Sequence, residues 1–523
     1  MVSTVNSLGA IQTRYLRHRA GVLYSTAVAC LVVCLTVQAA VASEWEIHPS
    51  LSIGEFYTDN ATLQSASGKE DEFITDVSPG ISVDKEGSRL TLGAEYLMQN
   101  LFYAVDSNRN AINHKLQAEV NAQPIREHLF VDAEAVMRQV LISPEQTISV
   151  DELNPDARVN SVSYSVSPYY RHNFSNLAEA LMRYKFNEVT FEEGASDSTT
   201  NFYEASLNSG RRFTQLQWRM NYRNSKSNRD AGGDINRESA FGEVRYQVFD
   251  SWSVLAQGGY ENNEFVSTRP TRNGGYWAVG LGWRPSNHLS IDALYGERFK
   301  SVTFALNPTT RTSLSVSWRN SDVGTNVGQV WSGSFELKNR RTLWKASYLE
   351  DTTTTQQLAL AGTAFIFFDP STGKVVANPL PGQTVTVLPV DVFALTDEVF
   401  LRKRGETSFV YQASKSKLFF ALFHERHAFA LLSRDEVSYG GNASWNWRYS
   451  GHTTSVLSAA CTRTSFHSTN RKTGLCTIQE EISRQLRPHL RGSLAYRYTI
   501  QDSTGSDRDY DENRVSFRLT MRY

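Results

Sequence analysis

The chain has 523 residues and a formal net charge of -1, with 53 lysines and arginines against 54 aspartates and glutamates. This balance lacks the basic excess of nucleic-acid-binding proteins, so we expect no nucleic-acid partner. Beyond Val37 no apolar run is long enough for a membrane-spanning helix, which excludes a helical bundle in the membrane for the rest of the chain.

The N-terminus is predicted to be a secretory signal peptide, residues 1–42. Arg14, Arg17 and Arg19 precede the apolar run Gly21–Val37, and Ala40–Ala42 supplies small residues for cleavage. Its removal takes three positive charges from the formal -1 and leaves -4. An uncleaved N-terminal anchor is the alternative interpretation.

The remaining chain, residues 43–523, alternates apolar and polar residues in many stretches. In one of them Leu216, Trp218 and Met220 alternate with Gln217 and Arg219. Strict alternation places one set of side chains on each face of a β-strand. A strand with one apolar and one polar face suits a membrane barrel, where every second residue faces the lumen.

The connections between the predicted strands alternate between short turns and long polar loops. The short turns are Asp84–Ser88, Pro124–His128, His172–Asn176, Phe249–Trp252, Arg284–His288, Asn339–Thr342, Ala413–Lys417 and Leu486–His489. The long loops are Asp59–Asp71, Leu141–Asp156, Glu192–Thr200, Ser225–Glu238, Ser267–Gly275, Asn320–Gln329, Ser465–Thr473 and Gln501–Glu512. Short periplasmic turns and long extracellular loops are typical of outer-membrane barrels.

These patterns predict an all-β fold: a single transmembrane antiparallel up-and-down β-barrel of about 24 strands. Merging the hairpin Ser290–Pro308 would give 22 strands, and both counts are even, as in single-chain bacterial barrels. The first strand is expected near Glu46, so we expect no plug domain. A β-sandwich or β-solenoid is the alternative, but we find neither an interdomain linker nor a fixed repeat.

One connection, residues 352–396, is far longer than the others and is predicted to be a long extracellular loop. It contains the apolar run Ala364–Phe368 and four prolines. Loops of this length are usually functional or disordered. Four interpretations therefore stay open: an inward constriction, a lid, a partner-binding loop and a disordered loop.

The last eleven residues, Asn513–Tyr523, form the clearest predicted strand. An apolar row that ends in an aromatic residue alternates with Arg514, Arg518 and Arg522 and other polar residues. This terminal strand resembles the signal by which bacterial outer-membrane barrels are recognised for assembly. The predicted signal residues are Phe517, Leu519, Met521 and Tyr523.

If each apolar face contacts lipid, the lumen is rich in basic side chains. The predicted inward set is Arg183, Lys185, Arg219, Arg223, Arg245, Arg319, Arg448, Arg497, Arg514, Arg518 and Arg522. Only Glu179, Glu243 and Glu336 can be assigned inward as acids. A basic lumen predicts a preference for anions, whereas pairing of arginine with glutamate across strands would only stiffen the wall.

Cys461 and Cys476 are the two cysteines outside the signal peptide. They are expected near the mouths of adjacent strands, and their midpoint falls within the loop Ser465–Thr473, so the two thiols could meet across one hairpin. An even number of cysteines in an oxidising compartment predicts a disulfide bond.

We find no motif for catalysis, for a cofactor or for a metal. His424 and His427 are three residues apart on a predicted strand and would face opposite sides, so they cannot share a metal ion. We expect no enzyme and no cofactor. A hydrolase assembled from neighbouring barrel strands is the alternative.

Several segments resemble the outer-membrane β-barrel proteins associated with the PEP-CTERM system. They are Tyr276–Pro285, Leu289–Phe299, Arg340–Tyr348, Leu395–Arg404 and the terminal strand. The resemblance implies exosortase-type protein sorting and exopolysaccharide production in a Gram-negative bacterium. It carries no ligand or catalytic residues with it.

We therefore expect a monomeric outer-membrane pore that takes part in exopolysaccharide export. The alternatives are a non-transporting scaffold or receptor barrel that anchors polysaccharide or protein, and a general anion-preferring porin. The expected partners are outer-membrane lipid, the barrel assembly machinery, an anionic exopolysaccharide and a periplasmic export protein. A lumen of about 24 strands would be wider than that of porins with 16–18 strands, so we expect loops or a partner to occlude it.

Overall fold

The computed structural model describes residues 45–141, 153–154, 158–192, 195–265, 272–360, 367–369, 374–376, 386–387, 396–429, 435–467, 470–504 and 508–523. The predicted signal peptide, residues 1–42, lies outside the described residues.

Twenty-four long strands form one sheet. The first seventeen are β1 Trp45–Thr58, β2 Glu72–Glu86, β3 Leu90–Tyr103, β4 Ala111–Ile125, β5 Leu129–Leu141, β6 Arg158–Phe174, β7 Ala178–Phe191, β8 Ser198–Ser209, β9 Leu216–Arg229, β10 Ile235–Phe249, β11 Trp252–Glu264, β12 Gly274–Ser286, β13 Leu289–Tyr295, β14 Phe299–Thr309, β15 Thr312–Ser321, β16 Gly328–Lys338 and β17 Thr342–Thr353. The short helix α1, Thr355–Leu360, and the small sheet of β18 Phe367–Asp369, β19 Lys374–Val376 and β20 Thr386–Val387 follow. The last seven long strands are β21 Phe400–Gln412, β22 Ser416–Phe429, β23 Asp435–Arg448, β24 Thr453–Phe466, β25 Arg471–Arg487, β26 Leu490–Ser503 and β27 Tyr510–Arg522. A 3-10 helix, Ser107–Arg109, lies between β3 and β4.

The sheet closes on itself, because β1 pairs antiparallel with β2 on one edge and with β27 on the other. The β1–β27 register runs from Ser50 opposite Arg522 to Thr58 opposite Arg514. Strands β17 and β21 pair directly, so the long connection between them interrupts no pairing in the ring. The predicted antiparallel up-and-down barrel of 24 strands is confirmed, including the hairpin of β13 and β14. A closed ring excludes the sandwich and solenoid alternatives.

The outer face of the barrel is apolar. On β12, Trp277, Val279 and Leu281 are 58%, 51% and 54% exposed, whereas the intervening Ala278 is 1% exposed. Aromatic pairs such as Trp252 with Trp283 and Trp344 with Phe409 lie on neighbouring strands. Apolar side chains can remain exposed in such numbers where lipid covers them, and a closed barrel leaves no unpaired strand edge in the membrane. The fold is that of an outer-membrane barrel.

The terminal strand completes the ring. Val515 and Phe517 are 44% and 49% exposed on the outer face. The backbone amide of Tyr523 donates to the carbonyl oxygen of Pro49 at 3.0 Å, and its ring stacks on His489. The assembly role of Phe517, Leu519, Met521 and Tyr523 stays a prediction.

Among the described residues, no helix is long and apolar enough to cross a membrane.

Candidate functional site

Chain direction assigns the two ends of the barrel. The turns of two to six residues that join β2 to β3, β4 to β5 and so on lie at the same end as Trp45 and Tyr523, and they match the predicted periplasmic turns. The connection between β17 and β21 lies at the other, extracellular end. It was predicted as residues 352–396, but Thr352 and Thr353 still belong to β17, and β21 begins only at Phe400.

The described parts of this connection turn across the mouth of the barrel. We call residues 352–360 and 396–399 the crossing segment. The Cα atoms of α1 lie within 8 Å of Cα atoms in β6 and β7. Strands β6 and β7 are eleven and ten positions from β17 in a ring of 24, so they lie almost opposite to it. The crossing segment therefore spans the extracellular mouth, and of the four interpretations the inward constriction agrees with its position.

Polar contacts tie the crossing segment to the far wall. The carboxylate of Asp397 accepts hydrogen bonds from the backbone amide and hydroxyl of Ser196, at 2.7 and 2.5 Å, and from Nε2 of Gln356 at 3.2 Å. Arg229 donates from Nη1 to the backbone carbonyl of Asp397. Arg237 on β10 donates to the carbonyl of Thr352 at 3.3 Å. These contacts join the β17–β21 side to the loops and strand ends of β7 to β10.

Apolar packing fixes the near end of the crossing segment. Leu358 of α1 packs against Phe400 and Phe429, and all three are buried. Phe400 also stacks on the imidazole of His427, with ring centroids 4.4 Å apart. Gln356 is 1% exposed. A helix of six residues is too short to be stable alone, so this packing holds α1 in place.

A buried charged cluster lies directly beneath this packing, on the lumen side of β21 and β22. Glu425 accepts from Arg402 Nε and from Arg404 Nη1, each at 2.5 Å, and lies 2.8 Å from Nε2 of His427. Glu425 and His427 are fully buried. Four ionisable groups in one buried site are costly unless they pair closely, and here the other three all contact the Glu425 carboxylate. We call these four residues the Glu425 cluster.

About half of the predicted basic lumen residues pair with acids, and among these acids only Glu243 was assigned inward from the sequence. Six members of the predicted set form ion pairs: Arg219 with Glu243, Arg223 with Glu204, Arg245 with Asp292, Arg497 and Arg514 with Glu512, and Arg518 with Asp76. The prediction of few inward acids was therefore wrong. Glu512 pairs with Arg514 on its own strand, and the other five arginines reach a carboxylate on a different strand. This pairing favours wall stiffening over a strongly anion-attracting lumen.

The remaining predicted basic residues make other contacts. Arg183 lies over the ring of Tyr169, Arg448 donates to the carbonyl of Ser414, and Arg522 donates to the hydroxyl of Ser82. Lys185 and Arg319 are partly buried.

A second group of contacts covers the mouth over β1 to β5. Tyr103 donates from its hydroxyl to the carbonyl of Leu153 at 2.6 Å, and Arg109 donates to Asn154 and to the carbonyl of Ala61. Lys69 in the first loop lies 2.7 Å from Asp511, and this hydrogen bond raises the pKa of Lys69. The extracellular loops on this side are thus also drawn together over the lumen.

A cavity of about 820 Å³ lies in the periplasmic half of the lumen. Its walls are the lumen faces of β9 to β14, and the turn between β8 and β9 closes its periplasmic edge. The lining side chains include Arg219, Glu243, Arg245, Leu255, Asp292 and Leu294. Sequence analysis identified Arg219, Glu243 and Arg245 as inward residues but not the cavity, which depends on neighbouring strands.

The two cysteines form a disulfide bond between β24 and β25, with Cα atoms 4.2 Å apart. They were expected near the mouths of the strands, but they lie opposite one another within the paired region. Cys461 is exposed and the adjacent Thr462 is buried, so the bond lies on the outer face. It joins two strands of the wall.

The described residues hold no group of three or more His, Cys, Asp or Glu side chains that could bind a metal ion. His424 and His427 lie on opposite faces of β22, as predicted from their spacing, since His427 is fully buried on the lumen side and His424 is partly exposed.

No protein-family model matches the chain, and no curated protein matches it. Among solved structures, the siderophore receptor PirA from Acinetobacter baumannii is similar at 8% identity and a TM-score of 0.44, covering 91% of this chain and 80% of PirA. The FrpB iron transporter from Neisseria meningitidis (F3-3 variant) is similar at 9% identity and a TM-score of 0.44, covering 93% and 82%. Similarity at this level carries no conclusion about function. The closed ring and its apolar outer face define the class as an outer-membrane β-barrel.

Proposed function

We propose that the chain is a gated outer-membrane pore that exports an extracellular polysaccharide from the periplasm. One observation carries the proposal: a cavity of about 820 Å³ lies at the periplasmic end of the lumen, while the crossing segment spans the extracellular mouth. A site that first meets its substrate from the periplasm suits export. A receptor for an external ligand would need its site on the extracellular side.

The crossing segment supplies the gate in this proposal, and no separate plug domain is required. Its contacts with the far wall are mainly hydrogen bonds through Asp397 and Gln356, which can exchange for contacts with water or with a polymer. Among the described residues, Gln356 Oε1, Asp351 Oδ1 and Arg237 Nε are buried without a hydrogen-bond partner. A buried polar atom without a hydrogen-bond partner costs free energy. These atoms therefore reduce the free-energy difference between the closed state of the crossing segment and an open state.

The link to exosortase and the PEP-CTERM system belongs to the same proposal and rests on the sequence resemblance alone. So does the choice of exopolysaccharide as cargo. The test is a deletion strain scored for surface polysaccharide and complemented with the native gene. Loss of surface polysaccharide with periplasmic accumulation supports export, and unchanged surface polysaccharide overturns it.

A second candidate is a non-transporting surface barrel that displays its loops and anchors polysaccharide or protein. The buried Glu425 cluster favours it, because a permanently closed mouth would be stabilised in this way. The two candidates differ in one consequence. An export pore conducts ions once the crossing segment is released, and a scaffold barrel stays closed.

A further inference from the structure

The floor of the periplasmic cavity is apolar and lies below its rim. Leu255 on β11 and Leu294 on β13 both pair with Gly280 on β12, so the glycine lies between the two leucines. A Cβ atom at Gly280 would approach the carbonyl oxygen of Ala293 to 1.8 Å. That position cannot hold a side chain, so no side chain of β12 lies between the two leucines.

One edge of the rim is a fixed ion pair that bridges two strands. Arg245 on β10 reaches Asp292 on β13 with both terminal nitrogens, at 3.0 and 2.7 Å. It passes over Gly282, where a Cβ would lie 2.6 Å from Arg245 Nη1 and from Asp292 Oδ1. Glycine at this position therefore allows the bidentate pair. Because Asp292 neutralises Arg245, this arginine shapes the rim and offers no free charge to a ligand.

The rest of the rim has an excess of positive charge. The lining contains four arginines (Arg211, Arg219, Arg245 and Arg284) and two carboxylates, a formal charge of +2. Arg219 contacts Glu243 at 2.6 Å yet its side chain is 56% exposed, and Arg284 is 49% exposed at 3.7 Å from Asp292. These two guanidinium groups can contact a ligand carboxylate without breaking the Arg245–Asp292 pair.

Neutral polar groups complete the rim. Gln217, Gln257, Ser301 and Thr303 line the cavity and offer amide and hydroxyl groups for hydrogen bonds. The volume of about 820 Å³ falls in the range of small-molecule sites. A pyranose ring has an apolar C–H face and a rim of hydroxyls, so it matches an apolar floor edged by polar groups.

We propose that this cavity binds a short segment of an acidic glycan, a polysaccharide that carries carboxylate groups. The leucine floor takes the C–H face of a sugar ring, the neutral polar groups bind its hydroxyls, and Arg219 and Arg284 bind its carboxylate. A simple inorganic anion would use the arginines and leave the floor and the amides unused. This inference rests on the proposed function, which supplies a polysaccharide as cargo. It adds that the cargo carries carboxylate groups and that this cavity binds them.

The test is calorimetric titration of the purified full-length barrel in detergent. The probes are tetragalacturonate, the neutral maltotetraose and inorganic phosphate. We expect tetragalacturonate to bind. Maltotetraose, which has no carboxylate, and phosphate, which has no sugar ring, should each bind with an affinity at least about tenfold lower. R219Q/R284Q should weaken tetragalacturonate binding by about tenfold or more.

The matched control is R223Q. Arg223 also lies on β9, pairs with Glu204 and is 54% exposed, but it does not line the cavity. It should leave the affinity unchanged, and a heat-modifiable gel shift shows that each variant is folded. The inference is overturned if tetragalacturonate fails to bind, if phosphate binds as tightly, or if R219Q/R284Q has no effect. The deletion phenotype is independent of these outcomes, so failure of binding and failure of the export function are distinguishable.

Discussion

Arg402 at the extracellular end of β21 reaches diagonally to Glu425 on β22, with Nε 2.5 Å from Oε1 and side chains that are 8% and 0% exposed. The same carboxylate also contacts Arg404 and His427, so its loss removes the acceptor that two guanidinium groups and an imidazole share. We predict that Glu425→Gln destabilises the barrel by about 3–5 kcal/mol, as for other broken buried pairs. Urea denaturation in detergent, followed on gels, measures the change.

The control for this variant is Glu406→Gln. Glu406 also contacts Arg404, but its side chain is 50% exposed, so a loss of about 1 kcal/mol or less is expected. Equal urea midpoints of unfolding for Glu425→Gln and Glu406→Gln would show that burial of the Glu425 cluster contributes nothing to stability.

The disulfide bond between Cys461 and Cys476 joins adjacent strands of the wall. We predict that C461S/C476S lowers stability by about 3 kcal/mol or less, because the bond closes a loop of 15 residues. Conductance should be unchanged, since the bond lies on the outer face. Mass spectrometry of the non-reduced native protein should give the two cysteine peptides as one linked species, and two free thiols there would contradict the prediction.

Anion preference depends on which lumen arginines are paired. Glu243 holds Arg219 at 2.6 Å, so Glu243→Gln removes a negative charge and frees the guanidinium. We predict a shift of the reversal potential towards anion selectivity in a salt gradient, measured on a barrel opened by the D397A/Q356A substitutions. Glu336→Gln, which removes an exposed acid paired with Lys345 outside the cavity, is the matched control. A shift towards cations would contradict this account.

Tyr523 closes the ring through its backbone contact with Pro49 and its ring contact with His489. We predict that Tyr523→Ala reduces the amount of folded protein in the outer membrane, whereas Tyr523→Phe keeps it, because an aromatic ring is what both the stacking and the predicted signal require. Quantitative blotting of heat-modifiable protein in membrane fractions measures this. Equal amounts for Ala and Phe would refute the aromatic requirement.

The barrel itself was predictable because its signal is local. Alternation on a strand and the lengths of successive connections need no knowledge of which strands pair, so the sequence predicted about 24 strands. The observed hairpin of β13 and β14 decides against the alternative of 22. The pairing of Cys461 with Cys476 was accessible for a similar reason, since both lie equally far from the centre of one hairpin. Their place inside the strands was not predicted, because the end of a strand depends on pairing and not on loop polarity.

The mouth and the cavity were not predictable, because both depend on contacts between distant parts of the chain. Glu425 meets Arg402 and Arg404 only through the register of β21 with β22, and a shift of one residue would turn it towards lipid. Glu512 was assigned to a polar loop, but it lies near the start of β27 and is 2% exposed. The contact of Asp397 with Ser196 joins residues 201 positions apart, which no local pattern encodes.

The central claim is that the crossing segment closes a pore. Single-channel recording in planar bilayers tests it on the native barrel and on D397A/Q356A, which removes the carboxylate and the amide that bind Ser196. Asp435→Ala is the control, because Asp435 is an acid at the extracellular end of β23 that pairs with Arg426 and takes no part in the crossing. We predict little conductance for the native barrel and for Asp435→Ala, and large open events for D397A/Q356A. A native barrel that conducts as a wide open pore, or a folded D397A/Q356A that stays closed, would contradict the account.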